Sequence, residues 1–257
     1  MTDLSRAWPF GLGEKRWWIA VGSALVLLAV ALAFDRQISV WAQALPKPVR
    51  QVLAQFTPYG ESAWILIPAA ALFLLTAAVA LFVRWKLMRT MLWQFTALYA
   101  FIFLGVGLPS VFTTIVKRII GRGRPVHFDD VGILGFHANL SDWSYQSFPS
   151  GHSTTAFALA AVIGFASERW FYPVLLLAGV IGLSRLTLGA HYPTDVIAGA
   201  IVGLVGAYAV RVAFAARGWM FRRAPDGRIV ARPMSSLRRY LTLKRRGIAP
   251  ARQPDRP

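Results

Sequence analysis

Residues 149–195 read PSGHSTTAFALAAVIGFASERWFYPVLLLAGVIGLSRLTLGAHYPTD. Two apolar runs, 153–167 and 170–186, are joined by the charged pair Glu168-Arg169. Polar clusters flank them: Pro149-Ser150-Gly151-His152 before, and Ser184-Arg185 through His191 to Asp195 after. A membrane-crossing helix needs about 20 mostly apolar residues. The first run is short by itself and reaches toward that length by extending back into Gly151 and His152. Two consecutive crossings with a short link return the chain to the side it left. Both polar clusters therefore fall at one membrane surface.

Working outward, four more apolar runs appear, at 17–34, 63–83, 91–116 and 194–210. Of the 257 residues, 56% are hydrophobic and 15% charged, against about 25% charged in soluble domains. That composition excludes a disordered chain and a disulfide-stapled scaffold, and with no Cys there is no thiolate chemistry. A large soluble helical core is the alternative, but soluble helices carry a polar face and these runs show almost none. Trp17, Trp18, Trp64, Trp85, Trp93 and Trp170 fall near run ends, as an interfacial aromatic belt requires. The predicted fold is all-α, a polytopic six-transmembrane-helix bundle over 17–210. A short N-terminus, 1–16, precedes it and a basic, partly disordered tail, 211–257, follows. Lys15 and Arg16 ahead of a run ending at Ala31-Leu32-Ala33 also fit a cleaved secretory signal. The run is long enough to span, which favours an uncleaved first helix.

The formal charge of +17 invites a nucleic-acid reading, and the positions of the charges remove it. With the N-terminus inside, Arg6, Lys15, Arg16, Arg84, Lys86, Arg89, Arg169 and the Arg-rich tail lie on one side. Arg36, Lys47, Arg50, Lys117, Arg118, Arg122, Arg124 and Arg185 lie on the other. The bias predicts N-in and C-in, with the reactive-looking cluster on the outer, periplasmic face of a bacterial inner membrane. The tail suits anionic lipid headgroups, with a short basic surface helix over 235–246; a topology anchor without a partner is the plainer reading. The first outer loop, 35–62, holds Pro46, Pro48 and Pro58 and shows no chemistry.

The chemistry collects elsewhere. Lys117 and Arg124 are seven residues apart, two helical turns, so on a helix they share a face. Two fixed cations there suit a phosphate, which Arg grips through paired hydrogen bonds. Ser150-Gly151-His152 opens an apolar helix whose free N–H groups bind anions; Ser150 adds a hydroxyl and His152 a proton donor for a leaving oxygen. Pro193 suits a first helical turn, placing His191 just before a helix and Asp195 within its first turn. A carboxylate there can hold one imidazole nitrogen and leave the other as an outward lone pair, a competent nucleophile toward phosphorus. Arg185 adds a third cation. A metal site at His127, Asp129 and Asp130 matches no strong ligand spacing, and His137 reads as a loop residue.

Lys117-x6-Arg124-Pro125, Pro149-Ser150-Gly151-His152 and Ser184-Arg185-x5-His191-x3-Asp195 together resemble the tripartite signature of the type-2 phosphatidic acid phosphatase superfamily, in its membrane-embedded lipid phosphatase branch. The resemblance implies that His191 is the nucleophile, forming a phosphohistidine, with Asp195 orienting it and His152 as general acid. It implies phosphate binding by Lys117, Arg124, Ser150, Gly151 and Arg185, and chemistry without a metal or other cofactor. The substrate it implies is a membrane lipid phosphate: undecaprenyl diphosphate, phosphatidate or phosphatidylglycerophosphate, or a lipid A phosphate. Phe128, Phe136, Trp143, Tyr145 and Phe148 are candidates for an interfacial cover. A lipid phosphotransferase using the same His, and a non-enzymatic transporter or adaptor, are the competing classes; the latter lacks the paired broken helices expected of it.

Overall fold

The computed structural model describes residues 3–8, 16–138, 141–233 and 235–245, with Lys244 as backbone alone. Lys15 and Arg246, both used above, lie outside the described residues. Six apolar helices occur in the predicted order: α1 (Trp17–Ala44), α3 (Ala63–Phe82), α4 (Lys86–Ile120), α6 (Gly151–Ala166), α7 (Phe171–Thr187) and α8 (Pro193–Ala216). Between them sit the short helices α2 (Lys47–Ala54) and α5 (Phe128–Val131). Among the described residues five of these helices are long and apolar enough to cross a membrane by length and composition. The sixth, α6, has 16 residues, about 24 Å at 1.5 Å per residue.

The reason is its place in the bundle. α6 packs against α4, α7 and α8, and Ala156, Ala158, Ala160, Ala161, Val162 and Gly164 are buried. A helix wrapped in protein need not match the bilayer. α8 lies close along it because Gly199 and Gly203 face it: a Cβ on Gly199 would stand 2.4 Å from the Ser150 carbonyl oxygen, and one on Gly203 2.4 Å from that of Thr154. Small residues spaced four apart are how helices approach in lipid, where packing replaces the hydrophobic effect. The two helix starts are thereby brought side by side, with the Ser150 N–H donating to the Asp195 carbonyl at 2.9 Å.

α1 runs past the predicted end at 34 and continues unbroken through Ala31-Leu32-Ala33 to Ala44. Its extension carries Asp35 into the protein, fully buried. The loop read as devoid of chemistry therefore begins with a buried carboxylate.

At the other end of the bundle the described tail is folded rather than loose. Arg211, placed at its start by sequence, is a buried residue of α8. Its guanidinium donates to the Leu4 and Arg6 carbonyls and stacks 4.0 Å over the Phe165 ring. A hairpin follows, β1 (Phe221–Arg223) against β2 (Ile229–Ala231), antiparallel. Phe221 and Ile229 join Leu4, Phe101, Phe165 and Phe214 in the main hydrophobic core. The helix α9 (Ser235–Arg245) then packs on α4. Apolar side chains at 221 and 229, on strands joined by residues 224–228, are what fold this stretch despite its charge.

Candidate active site

The site forms where α4 ends and α6 and α8 begin. α4 stops at Gly121, in left-handed conformation at φ 62°, its N–H capping the Lys117 carbonyl at 3.1 Å. A side chain there would strike the backbone of His137, 2.0 Å from a Cβ, so glycine is required on two counts. The His137 N–H returns to the Gly121 carbonyl, and Gly123 N–H to that of Gly135 at 2.9 Å. This clamp holds the chain from Arg122 to Arg124 at the mouth of the bundle.

Sequence reasoning passed over Arg122. It is buried and fully partnered: one terminal nitrogen donates to Asp195 Oδ1 at 2.6 Å and the other to Asp35 Oδ2 at 2.7 Å. Its Nε and second terminal nitrogen also reach the Ile133 carbonyl at 3.0 Å, and its plane lies 4.5 Å over the Tyr192 ring. Burial alone would lower the guanidinium's proton affinity, but the Asp195 and Asp35 carboxylates outweigh it and raise its pKa above the ordinary value. Asp35 in turn accepts from the Thr194 N–H at 2.9 Å and from the Thr194 hydroxyl. The signal for this nest was present: Asp35 is an acid at the end of an apolar run, and an ionisable residue at membrane depth needs a partner.

His191, 3% exposed, is held from behind. Its Nδ1 lies 2.9 Å from the Ser147 carbonyl oxygen. A carbonyl can only accept, so Nδ1 carries the hydrogen and Nε2 is left as the lone pair. The expected Asp195 contact is longer, 3.7 Å from Oδ2 to Nδ1, which is a charge at close range rather than a hydrogen bond. Asp195 Oδ2 is occupied by the Ser147 hydroxyl at 2.5 Å and the Tyr192 N–H at 2.8 Å. Burial lowers the His191 pKa, with Asp195 opposing and Arg124 and Arg185 adding to the shift. The shift favours the neutral imidazole.

The remaining predicted residues converge in front. His152 lies within electrostatic range of Arg185, His191, Arg124 and Lys117; Lys117 senses Arg124; and Arg185 senses Arg124 and the acid Glu61. Among the described residues no hydrogen bond or ion pair engages the side chains of Lys117, Arg124, Arg185 or His152, and the Nε atoms of Arg124 and Arg185 are buried without an acceptor. Burial also lowers the Arg124 pKa, with Asp195 opposing. Trp143 stacks 4.6 Å from the Arg124 guanidinium. Ser150 caps α6, accepting from the Ser153 N–H and hydroxyl at 3.4 and 3.1 Å. Its own hydroxyl hydrogen stays available. Nothing lies within 4 Å of a Cβ built on Gly151, so the helix start is open to a ligand. Buried and half-buried cations with unmet donors around an open helix N-terminus form an anion site.

The other loop residues do not join it. His127 Nε2 meets the Ser144 hydroxyl at 2.8 Å and its ring stacks on Tyr145, while His137 packs against the same ring. Among the described residues no three His, Cys, Asp or Glu side chains are grouped to hold a metal ion, so the His127, Asp129 and Asp130 alternative has no cluster behind it.

An apolar helical bundle with an anion site at the helix ends suits a membrane-embedded phosphatase. The chain belongs to the PAP2 superfamily, whose family model matches residues 97–219. A lipid A 1-phosphatase of Rhizobium johnstonii is 34% identical over 236 residues, covering 88% of this chain and 93% of that protein. A decaprenylphosphoryl-5-phosphoribose phosphatase of Mycolicibacterium smegmatis is 37% identical over 95 residues, 37% of this chain and 48% of that one. The crystal structure of Aquifex aeolicus LpxE aligns with 69% of this chain and 94% of its own, at 21% identity and a TM-score of 0.47. The protein is an integral-membrane phosphatase of lipid phosphates.

Proposed function

We propose that the chain removes a phosphate from a lipid A-type substrate, at the outer face of a bacterial inner membrane, through a phosphohistidine and without a metal. His191 Nε2 attacks phosphorus as the bond to the leaving oxygen breaks, and His152 delivers the proton that oxygen needs. The bound phosphate's negative charge, set among the cations, favours the protonated form of His152 in the complex. Lys117, Arg124, Arg185, Ser150 and the Gly151 N–H hold the three remaining oxygens, on which charge gathers in the transition state. Water then attacks the phosphohistidine, with His152 taking its proton, and phosphate leaves.

The observation carrying this reading is the pairing pattern. Among the described residues the carboxylates bond Arg122, whereas the side chains of Lys117, Arg124, Arg185 and His152 make no hydrogen bond or ion pair around one open helix start. Charges buried without partners are costly, and a phosphate supplies what they lack. The six-span layout follows if α6 crosses inside the bundle, which puts both chain ends on the inner side. The lipid A preference rests on the Rhizobium relative, alike over nearly the whole chain, while the polyprenyl relative is alike over about a third.

The test is phosphate release by purified protein from lipid A, phosphatidate, phosphatidylglycerophosphate and undecaprenyl diphosphate, each with and without excess chelator. Fastest turnover of lipid A, unaffected by chelator, is expected. His191→Ala should abolish release from every lipid while insertion and yield stay normal. Full activity in that variant ends the nucleophile assignment, and chelator loss restored by a divalent ion ends the metal-free one.

A further inference from the structure

At the end of the bundle opposite the phosphate site, α9 folds back onto the start of α4 and encloses a cleft of about 600 Å³. The two ends are distinct: from Lys86 to Lys117 α4 climbs roughly 45 Å at 1.5 Å per residue. The cleft has two kinds of wall. Leu87, Met88 and Leu243 supply an apolar floor, and Trp85 and Tyr240 stand as aromatic posts. Lys86 and Arg239 contribute cations, and Thr90, Ser235 and Ser236 contribute hydroxyls. No acidic residue lines it.

The charge arrangement needs an explanation. Residues 84–90 carry Arg84, Lys86 and Arg89, residues 235–245 carry Arg238, Arg239, Lys244 and Arg245, and neither stretch holds an Asp or Glu. Among the described residues Lys86 and Arg239 have no ion pair; the salt bridges at this end join Asp3 and Asp226 to Arg6 and Arg228. Docking one basic helix on another basic segment without an intervening acid is repulsive. An anion between them removes the repulsion. The site lies where α4 enters the apolar bundle, at the level of Trp85, so the anion at hand is the headgroup of an inner-leaflet lipid, whose acyl chains continue along Leu87 and Met88.

The geometry points to a phospholipid site in this cleft, taking one anionic phosphodiester headgroup between Lys86 and Arg239, separate from the catalytic pocket. A phosphodiester with glycerol hydroxyls also meets the Ser235 and Ser236 hydroxyls, the Thr90 hydroxyl being donated to the Lys86 carbonyl. The ligand class is thus an anionic phospholipid such as phosphatidylglycerol, held as a structural or regulatory lipid rather than turned over.

The experiment uses the full chain, purified in detergent. Lipid retention is followed by native mass spectrometry during titration with phosphatidylglycerol, phosphatidylcholine or inorganic phosphate. Phosphatidylglycerol should be retained at one molecule per chain at least tenfold more tightly than phosphatidylcholine. The double variant Lys86→Gln, Arg239→Gln should lose that preference while lipid phosphatase turnover in detergent persists. Arg238→Gln, a cation on the same helix outside the cleft lining, should keep it. Equal retention of the two lipids, or an unchanged preference in the double variant, overturns the proposal. Displacement of the lipid by millimolar inorganic phosphate overturns it too, since the cleft then binds a free ion. Loss of the preference in Arg238→Gln to the same extent reduces the effect to general surface charge and likewise overturns it.

Discussion

Arg122 and Arg124 stand two residues apart just past the end of α4, the first buried and the second half-buried, and the protein treats them oppositely. Arg122 has a carboxylate on each terminal nitrogen, a carbonyl on its Nε and a ring beneath its plane. Arg124 has Trp143 against one face and a buried Nε with no acceptor. Arg122 ties α1, α4 and α8 together, since Asp35 comes from the first and Asp195 from the last. Arg124, with Arg185 and Lys117, is left to meet something that is not protein. The lesson is that residue type does not separate a structural cation from a binding one at a membrane surface; the accounting of its hydrogen-bond partners does.

Removing each arginine in turn breaks or sharpens that contrast. Arg122→Met leaves two buried carboxylates facing each other, and losing one side of a buried ion pair costs about 3–5 kcal/mol. Thermal unfolding in detergent should show a large drop in Tm, with activity lost alongside it. Arg124→Ala removes a cation that no carboxylate bonds and that Arg185 and Lys117 repel. Its Tm should hold or rise slightly, while kcat/KM falls roughly 10²–10³-fold, the scale seen when one transition-state donor is removed. An Arg122 variant with normal Tm, or an Arg124 variant that unfolds early, would dissolve the distinction.

Much of this was legible before any coordinates. The apolar runs gave the helix order, and the three polar clusters gave Lys117, Arg124, Ser150, Gly151, His152, Arg185, His191 and Asp195, because each cluster sits at a helix end and alternate ends share a face. What sequence could not supply was pairing across the chain. Asp35 and Arg122 are 87 positions apart, and no periodicity links an acid near the end of α1 to an arginine past the end of α4. The same gap hid the role of Ser147, whose carbonyl takes the His191 hydrogen that the spacing to Asp195 suggested for the carboxylate. The hairpin in the tail was hidden for a compositional reason: arginines dominate the count there, while two side chains, Phe221 and Ile229, enter the core.

Trp143 offers a finer cut. Its ring lies 4.6 Å from the Arg124 guanidinium and is itself largely exposed, so it orients the cation without closing the pocket. A cation–π contact at an exposed site is worth about 0.5–1 kcal/mol. Trp143→Ala should therefore raise KM by roughly two- to fivefold and leave kcat and Tm nearly unchanged. A fall in kcat as deep as that of Arg124→Ala would mean that the ring covers the reacting phosphate.

The smallest effect expected is in acid. His191 must be unprotonated to attack, and burial holds its pKa below the ordinary imidazole value of 6.5. A lowered pKa widens the range in which the lone pair is free, so the acid limb of kcat/KM, read against a substrate whose phosphate ionisation is measured separately, should lie below pH 6.5. Asp195 works against that shift, its charge favouring the protonated ring. In Asp195→Asn the limb should move further toward acid even as kcat drops, because the variant loses the carboxylate that steadies the ring's positive charge once phosphorus is bound. Arg122 loses half its compensation in the same variant, so the profile is read on the fraction that remains folded. A limb that moves toward neutral pH instead would mean that another group, and not the His191 imidazole, titrates there.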